Sequence, residues 1–479
     1  MTLLSNFLNN NCQSSPMLHI NLQLSPLFDV INASYYKGYN GRWYMNGGVT
    51  DNNAIVGGNN TQKTGRIIFE VVRFLKRFHR GIALYVDTES TLDINRVAKA
   101  VDKAFGEEGY FFTHIFNKRF IYKTKKDEFD GAEFHELIKN LYETYNTNKK
   151  DLKDEDFWET PFLGSDNKRM RVPYPLMIIC DSLTELRFNR VIKSFTENAI
   201  DDGGKQNTRD MRLGNMKRIL FEDISDWGAI IGAKIYWVGQ VQDIINMDGK
   251  PLEKSSVFIR QGKKIAKCPR AILNQPHWGF EIIRGSALKN GDQDWLYPNP
   301  NGRDTVLIDG KENPDLLYYT YSMFRNKGGN SGINLGFIGS QSEGIQEGLS
   351  MYHNLKNYNY WGLVGSKISH ACQILPDVKI GRTTVRKSIN EDYMLYRALT
   401  ILYQMWFEQS FVITTPKRYI ITPEELFNKI NERGYDWEKI LLNTVDYVHD
   451  DPTETRLTLS TRELIAIAIG ESDWDELRK

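Results

Sequence analysis

The sequence predicts an α/β fold with a mainly parallel central sheet and a mostly helical C-terminal domain. Between residues 54 and 240, short apolar segments typical of buried strands alternate with amphipathic segments of helical spacing. Several of these apolar segments end in a polar or acidic residue. Beyond residue 345 the pattern is mostly helical, notably over residues 392–408 and 423–433. We therefore divide the chain into an N-terminal arm or cap (1–53), a core (54–345) and a C-terminal domain with an acidic tail (346–479).

Composition narrows the class of protein. The chain has 479 residues and 55.5 kDa, with 41% hydrophobic and 25% charged residues, which is ordinary for a globular protein and excludes a largely disordered chain. No apolar run approaches the roughly 20 residues that cross a bilayer, so we expect no membrane partner. The four cysteines are far apart in sequence, which argues against a disulfide framework or a zinc cluster and favours the cytoplasm.

Charge is balanced overall but unevenly distributed. The net charge is +1, yet residues 203–270 hold 13 Lys/Arg against 7 Asp/Glu, and residues 436–479 hold 5 against 11. A basic middle and an acidic tail can attract each other or compete for one polyanion. Ordinary variation of surface charge is the alternative interpretation.

The predicted elements follow a strand, loop, helix order. The first strand, 54–56, leads into a polar glycine loop and then a helix whose apolar residues lie at helical spacing. Further predicted strands are IALYVD (82–87), LMIICD (176–181) and AKIYWVGQ (233–240), and further helices lie within 126–145 and from 216 to 232. Alternation of this kind is typical of a parallel sheet.

The strongest motif is a candidate phosphate-binding loop. It comprises Gly57, Gly58, Asn59, Asn60, Thr61, Gln62, Lys63 and Thr64. Such a loop uses backbone N–H groups, a lysine for the outer phosphates and a hydroxyl for magnesium, and Lys63 and Thr64 supply the last two. The usual pattern is G-x-x-x-x-G-K-[ST], so Gln62 departs from it. A plain polar turn is the alternative, but the position between a buried strand and a helix favours phosphate binding.

Three further polar residues lie at or just after the ends of predicted strands, where α/β sheets bind ligands. Glu89 is a candidate for polarising an attacking water, and Asp181 for holding magnesium beside Thr64. Gln240 is a candidate sensor of the terminal phosphate. Taken singly, each has an ordinary structural alternative as a helix cap, a strand-end acid or a solvated amide.

In this order, the motifs resemble the RecA-like recombinase core, with large phage-type recombinases the most similar. IVGGNNTQKT resembles its phosphate loop, LYVDTESTLD its catalytic-glutamate strand, IICDSLTEL its magnesium strand and YWVGQ its sensor strand. The segment MFRNK resembles the one that carries basic finger residues, which implies that Arg325 and Lys327 reach a neighbouring subunit's nucleotide. The continuation RNKGGNSG is also similar to DnaB-type ring helicases. The resemblance covers roughly residues 53–339.

The resemblance also implies two DNA-binding loops, after the magnesium and sensor strands. We expect them over residues 202–215 and 241–267, because both stretches carry spaced cations and glycines. Solvated surface loops are the alternative. The candidate DNA-binding residues are Lys205, Arg209, Arg212, Lys254, Arg260, Lys263 and Lys264.

The function that the resemblance implies is an ATP-dependent DNA recombinase, using ATP and Mg²⁺. It would form a helical filament on single-stranded DNA, then pair with duplex DNA and exchange strands, in the cytoplasm of a cell such as a phage-infected bacterium. Lys63, Glu89, Gln240, Arg325 and Lys327 would act in catalysis. A ring-forming helicase or translocase and a non-catalytic nucleic-acid-binding scaffold are the alternatives.

Overall fold

The computed structural model describes residues 19–189, 192, 205–244, 260, 263–289, 297–298, 312–329, 331–366 and 368–478. For residues 205–208, 289 and 312–314 it describes the backbone alone. Lys254 lies outside the described residues, and the side chain of Lys205 is likewise outside them.

A ten-stranded mixed sheet forms the centre of the described part of the chain. Its strands are β3 Asn52–Gly57, β4 Ile82–Asp87, β5 Phe120–Thr124, β8 Leu176–Asp181, β9 Ala233–Asp243, β10 Lys263–Ile265, β11 Trp278–Lys289, β12 Glu312–Asn326, β13 Asn334–Ser340 and β14 Gly344–Ile345. Their order is β14-β13-β12-β11-β3-β9-β8-β4-β5, with β10 pairing on β9. The α/β class is confirmed, and the sheet is mixed.

The sheet has a parallel centre and an antiparallel extension. Strands β11, β3, β9, β8, β4 and β5 run parallel to one another. Strands β12, β13 and β14 extend it by antiparallel pairing next to β11. Asp87 of β4 lies opposite Asp181 of β8, and Gly57 of β3 lies opposite both Gln240 of β9 and Ile282 of β11. The chemistry-bearing strand ends therefore meet at one edge.

Helices cover this sheet. Within the described residues they are α1 Pro26–Asp29, α2 Lys63–Arg77, α3 Ile94–Phe105, α4 Gly131–Thr147, α5 Lys205–Ile230, α6 Ala271–Asn274, α7 Glu347–Asn357, α8 Val385–Glu391, α9 Tyr393–Phe411, α10 Pro423–Glu432, α11 Trp437–Asn443 and α12 Thr461–Ala468. Apolar faces of α2 and α5 are buried in two core clusters on the sheet. None of these helices is long and apolar enough to cross a membrane.

The N-terminal residues pack into the core. Leu22, Leu24, Phe28 and Ile31 are all buried in the larger cluster. A hairpin follows, formed by β1 Ser34–Lys37 and β2 Trp43–Asn46. This segment thus contributes to the same hydrophobic core as the sheet.

Small sheets accompany the large one, and the C-terminal region, mostly helical as expected, carries two of them. A three-stranded antiparallel sheet comprises β15 Leu363–Ser366, β16 Ser369–Cys372 and β17 Leu375–Gly381. β18 Thr444–Val445 pairs with β19 Leu457–Thr458 in parallel. Earlier in the chain, β6 Phe157–Leu163 pairs with β7 Arg169–Pro173.

The acidic segment from residue 436 onward is folded. Asp446 accepts a hydrogen bond from Gln404, and Asp473 pairs with Arg433 and Arg478. Leu464 and Ile465 are buried in the main core. Because several of its carboxylates already have partners within the chain, this segment is an integral part of the C-terminal fold.

Helix α5 corrects one expectation. It begins at Lys205, so residues 205–215, predicted as part of a glycine-bearing loop, are helical. Leu213 and Met216 pack against the smaller core cluster, which provides an apolar reason for the helix to start well before residue 216. Gly214 lies inside this helix, where it lowers helix stability by about 1 kcal/mol relative to alanine.

Candidate functional site

A cavity of about 810 Å³ opens at the carboxyl edge of the parallel strands. Ligands of open α/β sheets bind at this edge. The candidate phosphate-binding loop forms its floor, and polar side chains from strands on both sides form its walls. The lining residues are Asn59, Asn60, Thr61, Gln62, Lys63, Thr64, Gly65, Glu89, Arg96, Asp181, Gln240, Arg284, Leu317, Tyr319 and Gln341.

In the loop between β3 and α2, the backbone is left-handed at Gln62, where glycine is usual. Gln62, at the position usually held by glycine, has φ 62° and ψ 21°, and Asn60 has φ 57°. Both are left-handed conformations, which cost a non-glycine residue roughly 1–2 kcal/mol. Gln62 therefore adopts the conformation for which glycine is favoured, and helix α2 starts directly after it.

Lys63 is folded back onto its own loop. Its Nζ donates to the carbonyl oxygens of Gly57 (3.1 Å) and Gly58 (2.6 Å). Burial lowers the pKa of Lys63, and the nearby carboxylates of Asp181 and Glu89 oppose that shift. An ammonium held among carbonyl oxygens beside an open cavity can exchange those partners for phosphate oxygens.

Thr64 and Asp181 meet beside the loop. The Thr64 hydroxyl donates to Asp181 Oδ2 at 2.8 Å, and the hydroxyl of buried Tyr85 donates to the same oxygen at 2.6 Å. Burial raises the pKa of Asp181, while the hydrogen bonds from Tyr85 and Thr64 lower it. Tyr85 was not predicted, since a tyrosine inside an apolar strand has no sequence signature.

Glu89 is held in a defined orientation at the other side of the cavity. Its Oε1 accepts hydrogen bonds from the Ser182 hydroxyl (2.9 Å) and from the Gln240 side-chain amide (2.7 Å). Three strand ends, those of β4, β8 and β9, thus converge on one carboxylate. The structure brings Glu89 and Gln240 into contact, as expected from the strand ends, and Asp181 lines the same cavity.

Asp87 has a different role from Glu89, two residues later. It is buried, and its carboxylate accepts the backbone N–H groups of Glu89, Ser90 and Leu92 and the Tyr122 hydroxyl. These bonds fix the turn after β4. Asp87 therefore positions Glu89 and does not line the cavity.

Gln240 connects the cavity to the paired strands β9 and β10. Its backbone N–H donates to Thr184 Oγ1 at 2.9 Å, and its carbonyl accepts from the Ala266 N–H at 2.8 Å. Strand β10 pairs with residues 241–243 of β9, so the second predicted DNA loop begins as a two-stranded ribbon. The backbone of Gln240 is thus bonded both to Thr184 and to Ala266, the residue directly after β10.

The predicted DNA-binding residues have different surroundings. Arg212 and Lys264 are exposed, Arg209 is half-buried, and Lys263 pairs with Asp243. Arg260 donates to the buried carboxylate of Glu281 through two nitrogens, at 3.0 and 2.7 Å. Neutralising Arg260 would leave Glu281 buried without its cation, so this arginine has a structural role in addition to any contact with DNA.

Arg325 and Lys327 lie at the opposite edge of the sheet. Gly279 pairs with Arg325 on β12 and with Ala54 at the start of β3, whereas the phosphate loop follows the far end of β3. Arg325 is half-buried, with its Nε 3.4 Å from the Pro276 carbonyl oxygen, and Lys327 is exposed. Neither residue lines the cavity of its own chain.

Sequence reasoning missed four polar residues of the cavity wall: Arg96, Arg284, Tyr319 and Gln341. Arg96 is on α3, and the other three come from the antiparallel side of the sheet or its border. No motif marks them, because their position depends on which strand pairs with β3. Knowing that β11 lies beside β3 would have pointed to Arg284, two residues beyond the partner of Gly57.

The residues present fit a magnesium ion bound together with a phosphate group. Mg²⁺ in nucleotide sites takes one or two carboxylates and completes its shell with phosphates and water. Asp181 and Thr64 offer a carboxylate and a hydroxyl within 2.8 Å of each other. Within the described ranges, no three His, Cys, Asp or Glu side chains converge as a separate metal site.

Comparison with protein-family models gives no match for this chain, and a search of curated protein sequences gives none either.

Proposed function

We propose that this chain is an ATP- and Mg²⁺-dependent ATPase with a RecA-like core, which acts as a DNA recombinase on single-stranded DNA. One observation carries the ATPase part of the proposal. The phosphate loop, the Thr64–Asp181 pair and a Glu89 held by Ser182 and Gln240 all face one cavity at the carboxyl edge of parallel strands.

In this proposal the triphosphate lies along residues 58–64. The N-terminus of α2 points its unpaired N–H groups at the loop, which favours anions. Lys63 exchanges the carbonyls of Gly57 and Gly58 for phosphate oxygens. Thr64 and Asp181 would hold the magnesium ion, which neutralises charge on the outer phosphates.

Hydrolysis requires a water molecule aligned with the terminal phosphate. Glu89 is the cavity carboxylate that does not bond to Thr64, and we assign it the orientation of that water. Its hydrogen bonds from Ser182 and Gln240 fix its direction. The protein acts mainly by positioning and charge neutralisation, since phosphoryl transfer needs little covalent chemistry from side chains.

The DNA part of the proposal depends on Gln240. Its amide contacts Glu89, and its backbone is bonded to the base of the β9–β10 ribbon. If hydrolysis of the terminal phosphate displaces the Gln240 amide, the position of the β9–β10 ribbon would change with it. In the same way, DNA bound to the ribbon would change the position of the amide. Lys263 and Lys264 on β10, with Arg209 and Arg212 on α5, are the cations we assign to the DNA backbone.

Assembly is part of the same proposal. Because Arg325 and Lys327 lie at the sheet edge opposite their own phosphate loop, any action on a nucleotide must be on that of another subunit. A filament and a ring both satisfy this requirement. The sequence RNKGGNSG, which resembles ring helicases, keeps the ring-forming helicase as the second candidate.

Two measurements test the proposal. ATP turnover with and without single-stranded DNA tests the ATPase, and no turnover in either case would favour the non-catalytic scaffold. Electron microscopy with ATP and single-stranded DNA distinguishes helical filaments from closed rings. Helical filaments are expected; closed rings would favour the helicase.

A further inference from the structure

A buried lysine on α5 binds three backbone carbonyl groups. Lys217 is 5% exposed. Its Nζ donates to the carbonyl oxygens of Leu183 (2.7 Å), Thr184 (2.7 Å) and Lys267 (3.2 Å). An ammonium has three N–H donors, and these bonds use all of them. None of the three partners is a carboxylate, so carbonyl dipoles stabilise the buried charge.

The three carbonyls belong to two segments that are far apart in sequence. Residues 183–185 come just after β8, and residues 266–268 come directly after β10. Two side-chain contacts join the same segments. The Thr184 hydroxyl lies 3.3 Å from Cys268 Sγ, and Lys267 Nζ lies 3.7 Å from Glu185 Oε1. We call the two segments, together with Lys217, the junction.

The backbone at Lys267 is unusual where it meets Lys217. Its φ is 49°, a left-handed conformation that is uncommon for residues other than glycine. Such a conformation persists where the surrounding structure holds it. The Lys217 ammonium is one of the groups that hold it, since it binds the Lys267 carbonyl.

The junction lies next to the two groups that orient Glu89. Ser182, which donates to Glu89, directly precedes the junction. Gln240, whose side chain also donates to Glu89, is bonded through its backbone to Thr184 and Ala266 of the junction. Each of these two hydrogen bonds to Glu89 therefore comes from a residue that is adjacent or bonded to the junction.

The same junction adjoins both sets of cations that we assign to DNA. Arg209 and Arg212 lie earlier on α5, the helix that carries Lys217. Lys263 and Lys264 lie on β10, which residues 266–268 follow. Lys217 itself is buried, so its ammonium is not available to a DNA phosphate.

We propose that Lys217 is a positioning residue that couples DNA binding to ATP hydrolysis, because its ammonium joins α5 to the ends of β8 and β10 beside the groups that orient Glu89. This inference rests on the proposed function and adds its regulation. Without the three bonds, DNA would still bind the cations of α5 and β10. Its binding would no longer alter the position of Glu89.

The test compares ATP turnover at saturating single-stranded DNA with turnover without DNA, on the full chain. The ratio of the two rates measures the coupling. Lys217→Met keeps an unbranched side chain in the space but removes the ammonium, so we expect the ratio to fall about fivefold or more. The Kd for a labelled oligonucleotide should equal that of the wild-type chain, because the ammonium does not reach the surface.

Lys234→Met is the matched control. Lys234 is also 5% exposed, and its ammonium bonds to the Ile20 carbonyl and the Asp51 carboxylate at the amino edge of the sheet. Its replacement leaves Asp51 buried without its lysine and should lower the melting temperature, but the ratio should keep its wild-type value. An equal fall of the ratio in Lys217→Met and Lys234→Met would overturn the inference, because general destabilisation would then explain both.

Thr184 provides a second test that leaves Lys217 in place. Thr184→Val removes the hydroxyl that bonds to the Gln240 N–H and to Cys268, whereas Thr184→Ser keeps it. Thr184→Val should lower the ratio, and Thr184→Ser should not. The double variant Lys217→Met with Thr184→Val should have a ratio no lower than that of the more severe single variant, because both changes break one junction.

A wild-type ratio in Lys217→Met would overturn the inference. If Lys217→Met does not fold, a wild-type ratio in Thr184→Val would overturn it instead. If the wild-type chain hydrolyses no ATP, or if DNA does not change its turnover, the failure is that of the proposed function, and the inference fails with it.

Discussion

The two edges of the central sheet differ in how their charged residues are used. At the carboxyl edge, Lys63, Glu89 and Asp181 share one open cavity and are held by short hydrogen bonds. At the amino edge, Asp51 is paired with Lys234 and His19, and Arg325 lies against a backbone carbonyl. Parallel strands bring their carboxyl ends together, so the polar side chains that line the cavity lie at one edge, whereas Arg325 and Lys327 lie at the other.

The largest effect is expected at the carboxyl edge. Lys63→Ala should abolish ATP hydrolysis, because the transferring phosphate loses its main cation. Lys139→Ala is the control, since Lys139 is a partly exposed lysine of α4 that pairs with Glu143. A colorimetric phosphate assay suffices, and substantial hydrolysis by Lys63→Ala would remove the loop from the mechanism.

The amino edge should matter only after assembly. Arg325→Ala and Lys327→Ala should leave nucleotide binding by the isolated subunit intact but lose DNA-stimulated hydrolysis. Mixing either variant with Lys63→Ala subunits should restore some activity, because one interface can then combine an intact loop with intact cations. If the subunits co-assemble and no mixing ratio rescues hydrolysis, the two edges do not cooperate in the way we propose.

The cations of β10 and α5 should have a smaller effect, on DNA binding, that does not depend on DNA sequence. Neutralising Lys263 and Lys264, or Arg209 and Arg212, should weaken single-stranded DNA binding and reduce the salt dependence. Each lost phosphate contact removes roughly 0.7 from the log–log slope for single strands. Basal hydrolysis should survive, because none of the four lines the cavity. Titration of a labelled oligonucleotide at several salt concentrations measures the slope; an unchanged slope in both variants would place DNA elsewhere.

The smallest effect concerns pH at the amino edge. Burial, and then the charge of Lys327, lower the pKa of His277 to about 4, while Asp51 opposes that shift and His19 and Lys234 add to it. An unfolded chain binds this proton near pH 6.5, so the stability that His277 contributes is lost as pH falls from 6.5 towards 4. His277→Gln should flatten the decline in melting temperature over that window by about 3 °C. An identical decline in wild type and variant would show that His277 is solvated.

Local patterns predicted the strands and the residues at their ends well. LMIICD and IALYVD form β8 and β4, and Asp181 and Glu89 meet in one cavity as expected. These predictions succeeded because parallel strands bury apolar runs and expose the residues at their ends. Both properties can be seen within a few residues of sequence. The helix predicted within residues 126–145 also depends on local pattern; the structure has it at Gly131–Thr147, with Asp130 as its capping residue.

Features that depend on strand pairing or packing between residues far apart in sequence could not be predicted. The cavity wall formed by Arg284, Tyr319 and Gln341 exists because β11 adds beside β3 and antiparallel strands follow it. Residues 205–215 looked like a loop from their polar and glycine content, yet Leu213 packs on the core and the helix continues through them. The left-handed backbone at Gln62 is likewise set by its surroundings and not by its own propensity.

The most direct test of the proposed ATPase site is hydrolysis by Glu89→Gln compared with the wild-type chain, with ATP binding measured in parallel. Glu89 alone is assigned to the attacking water, and its bonds to Ser182 and Gln240 can be retained by a glutamine carbonyl. We predict that Glu89→Gln binds ATP with wild-type affinity and hydrolyses it more slowly by about two to four orders of magnitude. Hydrolysis by Glu89→Gln at the wild-type rate would contradict the assignment of Glu89.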